Sequence, residues 1–112
     1  MTTASENPRK ISDKNIEEMA ADTDLQDVAK QMIFASSAYK YVYNFEHLGR
    51  PIIQMPQDIV AMQELIWQTK PDLIIETGIA HGGSLIMSSS MLAMIDLCEA
   101  IESDQILNPK ES

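Results

Sequence analysis

The N-terminal third of the chain changes from a polar pattern to an apolar one near Thr23. Residues 1–22 are polar, carry charges of both signs and contain Pro8, and they predict an arm with no sustained helix. From Thr23 onwards apolar residues recur every three or four positions, which is typical of one helix face, with Thr23 or Asp24 as the N-cap. This stripe consists of Leu25, Val28, Ala29, Met32, Ile33, Ala35, Ala38, Tyr39 and Val42.

A second helix is predicted between two prolines. Pro56 suits the first helical position, where the backbone amide has no helical partner, and Asp58 favours the positive end of the helix dipole. Lys70 and Pro71 end the helix, and residues 51–55 form a short extended piece before it. Its apolar stripe consists of Ile59, Met62, Leu65 and Ile66.

A strand, a glycine-rich loop and a third helix are predicted next. Residues 73–75 are apolar without polar alternation and lie between Pro71 and Gly78, as in a strand that is buried on both faces. Helical spacing of apolar residues resumes at Ser84 and continues to Leu97. This order predicts an α/β fold in which the strand is the first of a parallel sheet.

The loop between the predicted strand and the third helix contains the candidate chemistry. Its glycines permit a tight turn and a close backbone approach to a ligand, and the start of the helix presents amides to an anionic group. Glu76 follows the strand, at the edge where open α/β sheets bind ligands. The loop therefore predicts a nucleotide-type cofactor site. The predicted cofactor-binding residues are Glu76, Gly78, Ala80, His81, Gly82, Gly83 and Ser84.

The spacing within this loop narrows the choice of cofactor. A phosphate-binding loop of ATPases and GTPases requires a lysine, and none lies between Lys70 and Lys110. In this chain Ala80 replaces the second glycine of the G-x-G-x-x-G dinucleotide motif. Ser84 replaces the last glycine of the T-G-x-x-x-G-x-G motif of short-chain dehydrogenases. NAD(P) binding remains an alternative. The pattern E-x-G-x-x-x-G-x-S, a form of the first motif of class I methyltransferases, fits residues 76–84.

Over roughly residues 40–100 the chain resembles the cephalosporin hydroxylase / rhamnosyl O-methyltransferase family. The resemblance rests on Gly49-Arg50-Pro51, Pro56, Asp58, the run from Lys70 to Gly78 and His81-Gly82-Gly83-Ser84. It implies a Rossmann-like methyltransferase fold, S-adenosylmethionine as the cofactor, and methyl transfer to a hydroxyl of a sugar, lipid-linked glycan or antibiotic-like metabolite. It also implies that Ser84 contacts the cofactor carboxylate. Members of the family use magnesium, but none of the positions here matches its ligands.

A second strand that ends in an acid, which would hold the ribose hydroxyls, is not found before Ser112. We therefore expect residues 23–101 to be the N-terminal part of a truncated Rossmann-like methyltransferase domain, followed by a polar acidic tail at residues 102–112. On this expectation the chain lacks a complete active site, and no catalytic residue is assigned.

Charge and cysteine content restrict the partners. Eight basic residues against seventeen acidic ones give a net charge of -9, which disfavours nucleic acids and anionic membrane surfaces. The single cysteine, Cys98, cannot form an intramolecular disulfide, so we expect a cytoplasmic protein. A small-molecule substrate is what the family resemblance implies. No apolar run approaches about 20 residues, so no integral membrane segment is expected. A non-enzymatic helical interaction module, or a homo-oligomer formed through apolar helix faces, remains an alternative.

Overall fold

The computed structural model describes residues 7–110, which form two units that divide after Tyr39. The first unit contains two helices, α1 (Pro8–Ala21) and α2 (Thr23–Ser37). The second unit contains a 3-10 turn (Tyr41–Tyr43), strands β1 (Phe45–His47) and β2 (Arg50–Ile52), and helices α3 (Pro56–Thr69) and α4 (Gly83–Glu102).

Helix α1 corrects the prediction for the N-terminal arm. No sustained helix was expected in residues 1–22, yet Pro8–Ala21 is helical, while residues 1–6 lie outside the described part of the chain. The side-chain oxygen of Asn7 caps the helix by accepting from the amide of Arg9 at 2.9 Å. Two exposed ion pairs at i,i+4 spacing are also present, Arg9–Asp13 and Lys14–Glu18. The cap and the ion pairs are local interactions, and they stabilise a helix that lacks an apolar stripe.

Helix α2 begins at Thr23, and its cap is Asp22 rather than the predicted Thr23 or Asp24. The carboxylate of Asp22 accepts from the amide of Leu25 at 2.9 Å. The helix ends at Ser37, before the end of the apolar stripe. No residue of α1 or α2 is buried, and in the stripe Ile33 is 53% exposed and Met32 is 43% exposed. The first unit therefore leaves the apolar stripe of α2 uncovered.

A β-hairpin follows, and the sequence pattern did not indicate it. Only an extended piece at residues 51–55 was predicted, because each strand has three residues and one contains a proline. Leu48 and Gly49 connect the strands with φ angles of 47° and 79°, the positive values that a type I′ turn requires. The antiparallel register pairs Phe45 with Ile52, Glu46 with Pro51 and His47 with Arg50.

Helix α3 confirms the predicted helix between the two prolines. It begins at Pro56 and ends at Thr69, where Lys70 takes a left-handed conformation with φ of 44°. The ammonium of Lys70 lies 3.7 Å from the centre of the Trp67 ring, a cation–π contact.

The core of the second unit lies where α4 packs against both strands of the hairpin and against α3. Helix α4 confirms the predicted third helix and extends it to Glu102. The buried apolar side chains of the described residues are Ile52, Ile66, Met87 and Ile95. This small core depends on contacts between the hairpin and α4.

The strand predicted at residues 73–75 is not formed. Leu73 is 72% exposed and Ile75 is 81% exposed, and no strand among residues 7–110 pairs with this segment. An isolated strand leaves its amides and carbonyls without partners, so it does not persist as an element of a sheet. The described chain is thus a small helix-rich α/β chain with one two-stranded antiparallel sheet. The truncated Rossmann-like fold is compatible with this architecture and stays a prediction.

Within the described residues, α4 is long and apolar enough to cross a membrane. Only 22% of the most apolar 18-residue stretch of this helix is buried. Core helices of soluble proteins share this length and composition, so the expectation of no integral membrane segment stays a prediction.

Candidate functional site

The loop from Glu76 to Ser84 reverses the chain in a short distance. Gly78, Ala80 and Gly82 all have positive φ angles, of 73°, 46° and 86°. The amide of Gly82 donates to the carbonyl of Ile79 at 2.7 Å, which closes the last turn before α4. Glycine reaches this backbone region without strain, and the two glycines thus supply the tight turn that the sequence predicted.

Gly83 lies directly against the hairpin. A Cβ atom at this position would be 2.2 Å from the carbonyl oxygen of Pro51 and 2.7 Å from Cα of Ile52. The absent side chain therefore allows the first turn of α4 to start on the backbone of β2. Sequence reasoning assigned this space to a ligand, and the predicted contact of Gly83 with a cofactor stays a prediction.

Glu76 and Ser84, at the two ends of the loop, are joined by a hydrogen bond. The hydroxyl of Ser84 donates to Oε1 of Glu76, and both residues are half-buried. Because the single hydroxyl hydrogen is used in this bond, Ser84 cannot donate it to a ligand carboxylate while the bond persists. The negative charge of Glu76 also disfavours an anion beside Ser84.

The start of α4 has amides without helical partners. Gly82 is the N-cap and no side chain caps the helix. The first amide that has an acceptor within the helix is that of Ile86, which donates to the carbonyl of Gly82 at 2.9 Å. The amides of residues 83–85 therefore lack helical acceptors, as at other helix N-termini.

A cavity of about 360 Å³ lies on one side of this loop. Its lining includes Ala80, His81 and Gly82, three of the seven predicted site residues, but not Glu76 or Ser84. Among the described residues, no acidic side chain lines it. The lining residues in this part of the chain are Arg50, Ile79, Ala80, His81, Gly82, Leu85 and Ile86.

Of the four lining residues that sequence reasoning did not assign to the site, Arg50 is the charged one. Its Cδ lies 3.8 Å from the position that a Cβ of Gly82 would occupy. The hairpin brings Arg50 next to the loop from about thirty residues earlier in the chain. The only sequence signal was its place in Gly49-Arg50-Pro51, and no local pattern reveals the hairpin that positions it.

A larger cavity, of about 630 Å³, lies at the C-terminal end of α4. Its lining includes Asp96, Glu99 and Glu102. Among the described residues, however, no group of three or more histidine, cysteine, aspartate or glutamate side chains is placed to hold a metal ion.

His47 and Ser90 form a hydrogen bond between β1 and α4, with Nε2 and Oγ 3.0 Å apart. The Ser90 hydroxyl donates to the carbonyl of Met87 at 2.7 Å, so it accepts from His47. A histidine that donates to a serine cannot deprotonate it. This pair therefore holds the hairpin against the helix and does not form a nucleophile and base.

Comparison with known proteins identifies the family. A sequence model of the family described as rhamnosyl O-methyltransferase/CmcI matches residues 39–110, well over half of the 112-residue chain. The chain belongs to the rhamnosyl O-methyltransferase/CmcI family. The family match includes the hairpin, α3, the loop at residues 76–84 and α4, and it confirms the resemblance noted from the sequence. No curated protein and no solved structure matches the chain.

Proposed function

We propose that this protein is an S-adenosylmethionine-dependent O-methyltransferase whose acceptor is a hydroxyl of a sugar, lipid-linked glycan or antibiotic-like metabolite. The observation that supports the proposal most strongly is the family match across residues 39–110, which contains the motif of Glu76, Gly78, Gly82 and Ser84. The cavity beside this motif supplies a place for a ligand.

The residues of this site fit the polar groups of S-adenosylmethionine. Its amino-acid end carries a carboxylate and an ammonium, and its ribose carries two hydroxyls. The amides at the start of α4 donate to anions, whereas Glu76 accepts hydrogen bonds from an ammonium or a hydroxyl. When it is bound, S-adenosylmethionine supplies a methyl group that is activated by the positive charge on its sulfur.

The residues described here would bind and orient that cofactor. Gly78 and Gly82 hold the turn that leads into the start of α4, where the amides of residues 83–85 lack helical acceptors. The Ser84 hydroxyl fixes the carboxylate of Glu76, which leaves the remaining lone pairs of that carboxylate for a ligand. Such positioning lowers the barrier to methyl transfer because the reacting groups are held close together.

Titration with cofactors tests this proposal. We expect S-adenosylhomocysteine and S-adenosylmethionine to shift the NMR signals of backbone amides at residues 76–86, and NADPH to leave them unchanged. Because no strand ending in an acid follows α4 among the described residues, we expect a Kd weaker than micromolar. Binding of NADPH alone would replace the methyltransferase assignment with the dehydrogenase alternative, and a micromolar Kd for the adenosyl ligands would contradict the expectation of an incomplete site.

A second candidate function, self-association through helix faces, is favoured by the absence of any buried residue in α1 and α2. Val28 is 59% exposed in the apolar stripe of α2. Helices of about 15 residues are marginal in water without packing partners. A second copy of the chain could cover this stripe.

Sedimentation of a Val28→Glu variant tests the second candidate. We expect the unaltered chain to sediment as an oligomer, and Val28→Glu to shift it towards the monomer because the new charge would be buried at the interface. Gln31→Glu, on the same helix, adds the same charge outside the predicted stripe and should leave the oligomer intact. A folded monomer for the unaltered chain would contradict self-association.

A further inference from the structure

We propose that Arg50 binds the anionic group of the ligand in the cavity beside the loop. The anion is the carboxylate at the amino-acid end of the adenosyl cofactor, or a carboxylate or phosphate of the acceptor. The inference rests on the proposed function, and it assigns a specificity role to a residue outside the glycine-rich motif.

The position of Arg50 is fixed by the hairpin. Arg50 is the first residue after the turn at Leu48 and Gly49, and it pairs with His47 in the antiparallel register. The His47–Ser90 hydrogen bond ties that strand pair to α4. The guanidinium therefore extends from a backbone that is anchored on two sides, next to Gly82.

Arg50 has no acidic partner within the described chain. The ion pairs of residues 7–110 involve Arg9, Lys14 and Lys30, and none involves Arg50. This is notable in a protein with seventeen acidic residues and a net charge of -9. An arginine whose five donors are not used by the described residues can bind a carboxylate or phosphate with two parallel hydrogen bonds.

The arrangement of charges around the loop favours an anion at Arg50 over one at Ser84. The hydroxyl of Ser84 donates to Glu76, whose carboxylate repels a second anion. None of the described residues that line the cavity on the Arg50 side is acidic, and its volume of about 360 Å³ suffices for one end of a small ligand.

Substitution of Arg50 tests the proposal on the full chain. The variants are Arg50→Gln and Arg50→Lys, and the control is Arg9→Gln, which removes the same charge from α1. The ligands are S-adenosylhomocysteine, 5′-methylthioadenosine, which lacks the amino-acid end, and inorganic phosphate. The readout is the shift of the backbone amide signals of residues 79–86, with the spectrum of the free protein as the check on folding.

We expect Arg50→Gln to weaken the binding of S-adenosylhomocysteine at least tenfold, as the loss of a charged hydrogen bond predicts. The affinity for 5′-methylthioadenosine should stay within twofold of that of the unaltered protein. Arg50→Lys should retain part of the affinity because it keeps the charge but not the fork of donors. If phosphate binding falls and S-adenosylhomocysteine binding does not, Arg50 binds the acceptor's anion.

Three results would overturn the proposal. Equal affinities of Arg50→Gln and the unaltered protein for all three ligands would refute the role of Arg50 and leave the methyltransferase proposal intact. An equal loss with Arg9→Gln would attribute the effect to net charge. An unaltered chain that binds none of the ligands would refute both this inference and the proposed function.

Discussion

Substitution of Gly83 by alanine is expected to destabilise the second unit by about 3 kcal/mol, the upper end of the cost of overpacking. The added Cβ would lie 2.2 Å from the carbonyl oxygen of Pro51 and 2.6 Å from its carbonyl carbon. Neither is a flexible side chain, so α4 or the hairpin must move. Urea unfolding followed by far-UV circular dichroism and by the fluorescence of Trp67 measures the change in the free energy of unfolding.

The sign of this effect distinguishes packing from helix propensity. At an exposed helical position, alanine is more stable than glycine by about 1 kcal/mol. Gly78→Ala is the matched control, because nothing lies within 4 Å of a Cβ there and only its φ of 73° opposes the substitution. We expect the control to cost about 1 kcal/mol. A Gly83→Ala protein as stable as the unaltered one would show that α4 does not start against β2.

The elements that depend on local interactions were predicted best from the sequence. Helix α3 has a proline at its first position, an apolar stripe and a left-handed Lys70 before Pro71, all within one segment. Helix α1 depends on equally local features, the Asn7 cap and two ion pairs, but it lacks an apolar stripe. It was missed because apolar periodicity, the main sequence signal of a helix, is absent there.

The elements that depend on distant contacts were not predicted. The hairpin has strands of only three residues, and its stability comes from α4, which lies more than thirty residues away. The segment at residues 73–75 has the composition of a buried strand, yet it has no partner strand in the described chain. A segment with the composition of a strand forms one only where a neighbouring strand is present to pair with it.

In the candidate site, too, features that depend on local interactions were predicted and features that depend on distant contacts were not. The loop motif and the backbone conformations of Gly78 and Gly82 follow from residue type and spacing, so the sequence identified them. The contact of Gly83 with Pro51 and the place of Arg50 beside the loop require the hairpin to be known. Sequence reasoning therefore predicted the tight turn before α4 but not the residues that the hairpin brings beside it, and the role of the loop in cofactor binding stays a prediction.

Truncation of Ile52 to alanine is expected to cost about 3 to 4 kcal/mol, within the range for buried isoleucine. Ile52 is 1% exposed and is one of the four buried apolar residues of the core, between the hairpin and α4. Such a cost is a large part of the 5–15 kcal/mol that folds a typical domain. We therefore expect loss of the hairpin and of the cavity beside Arg50, measured by urea unfolding and by weaker S-adenosylhomocysteine binding.

Ile53→Ala is the control for this substitution, since it removes the same atoms from the adjacent residue, which is 40% exposed. It should cost less than about 1 kcal/mol, because little apolar surface is lost from the core. Ile52→Val should fall between the two, at about 1 kcal/mol. Equal costs for Ile52→Ala and Ile53→Ala would mean that the hairpin does not pack on α4 in solution. In that case the loop at residues 76–84 would lack the support that positions Arg50 beside it, and the cavity could not be a preformed site.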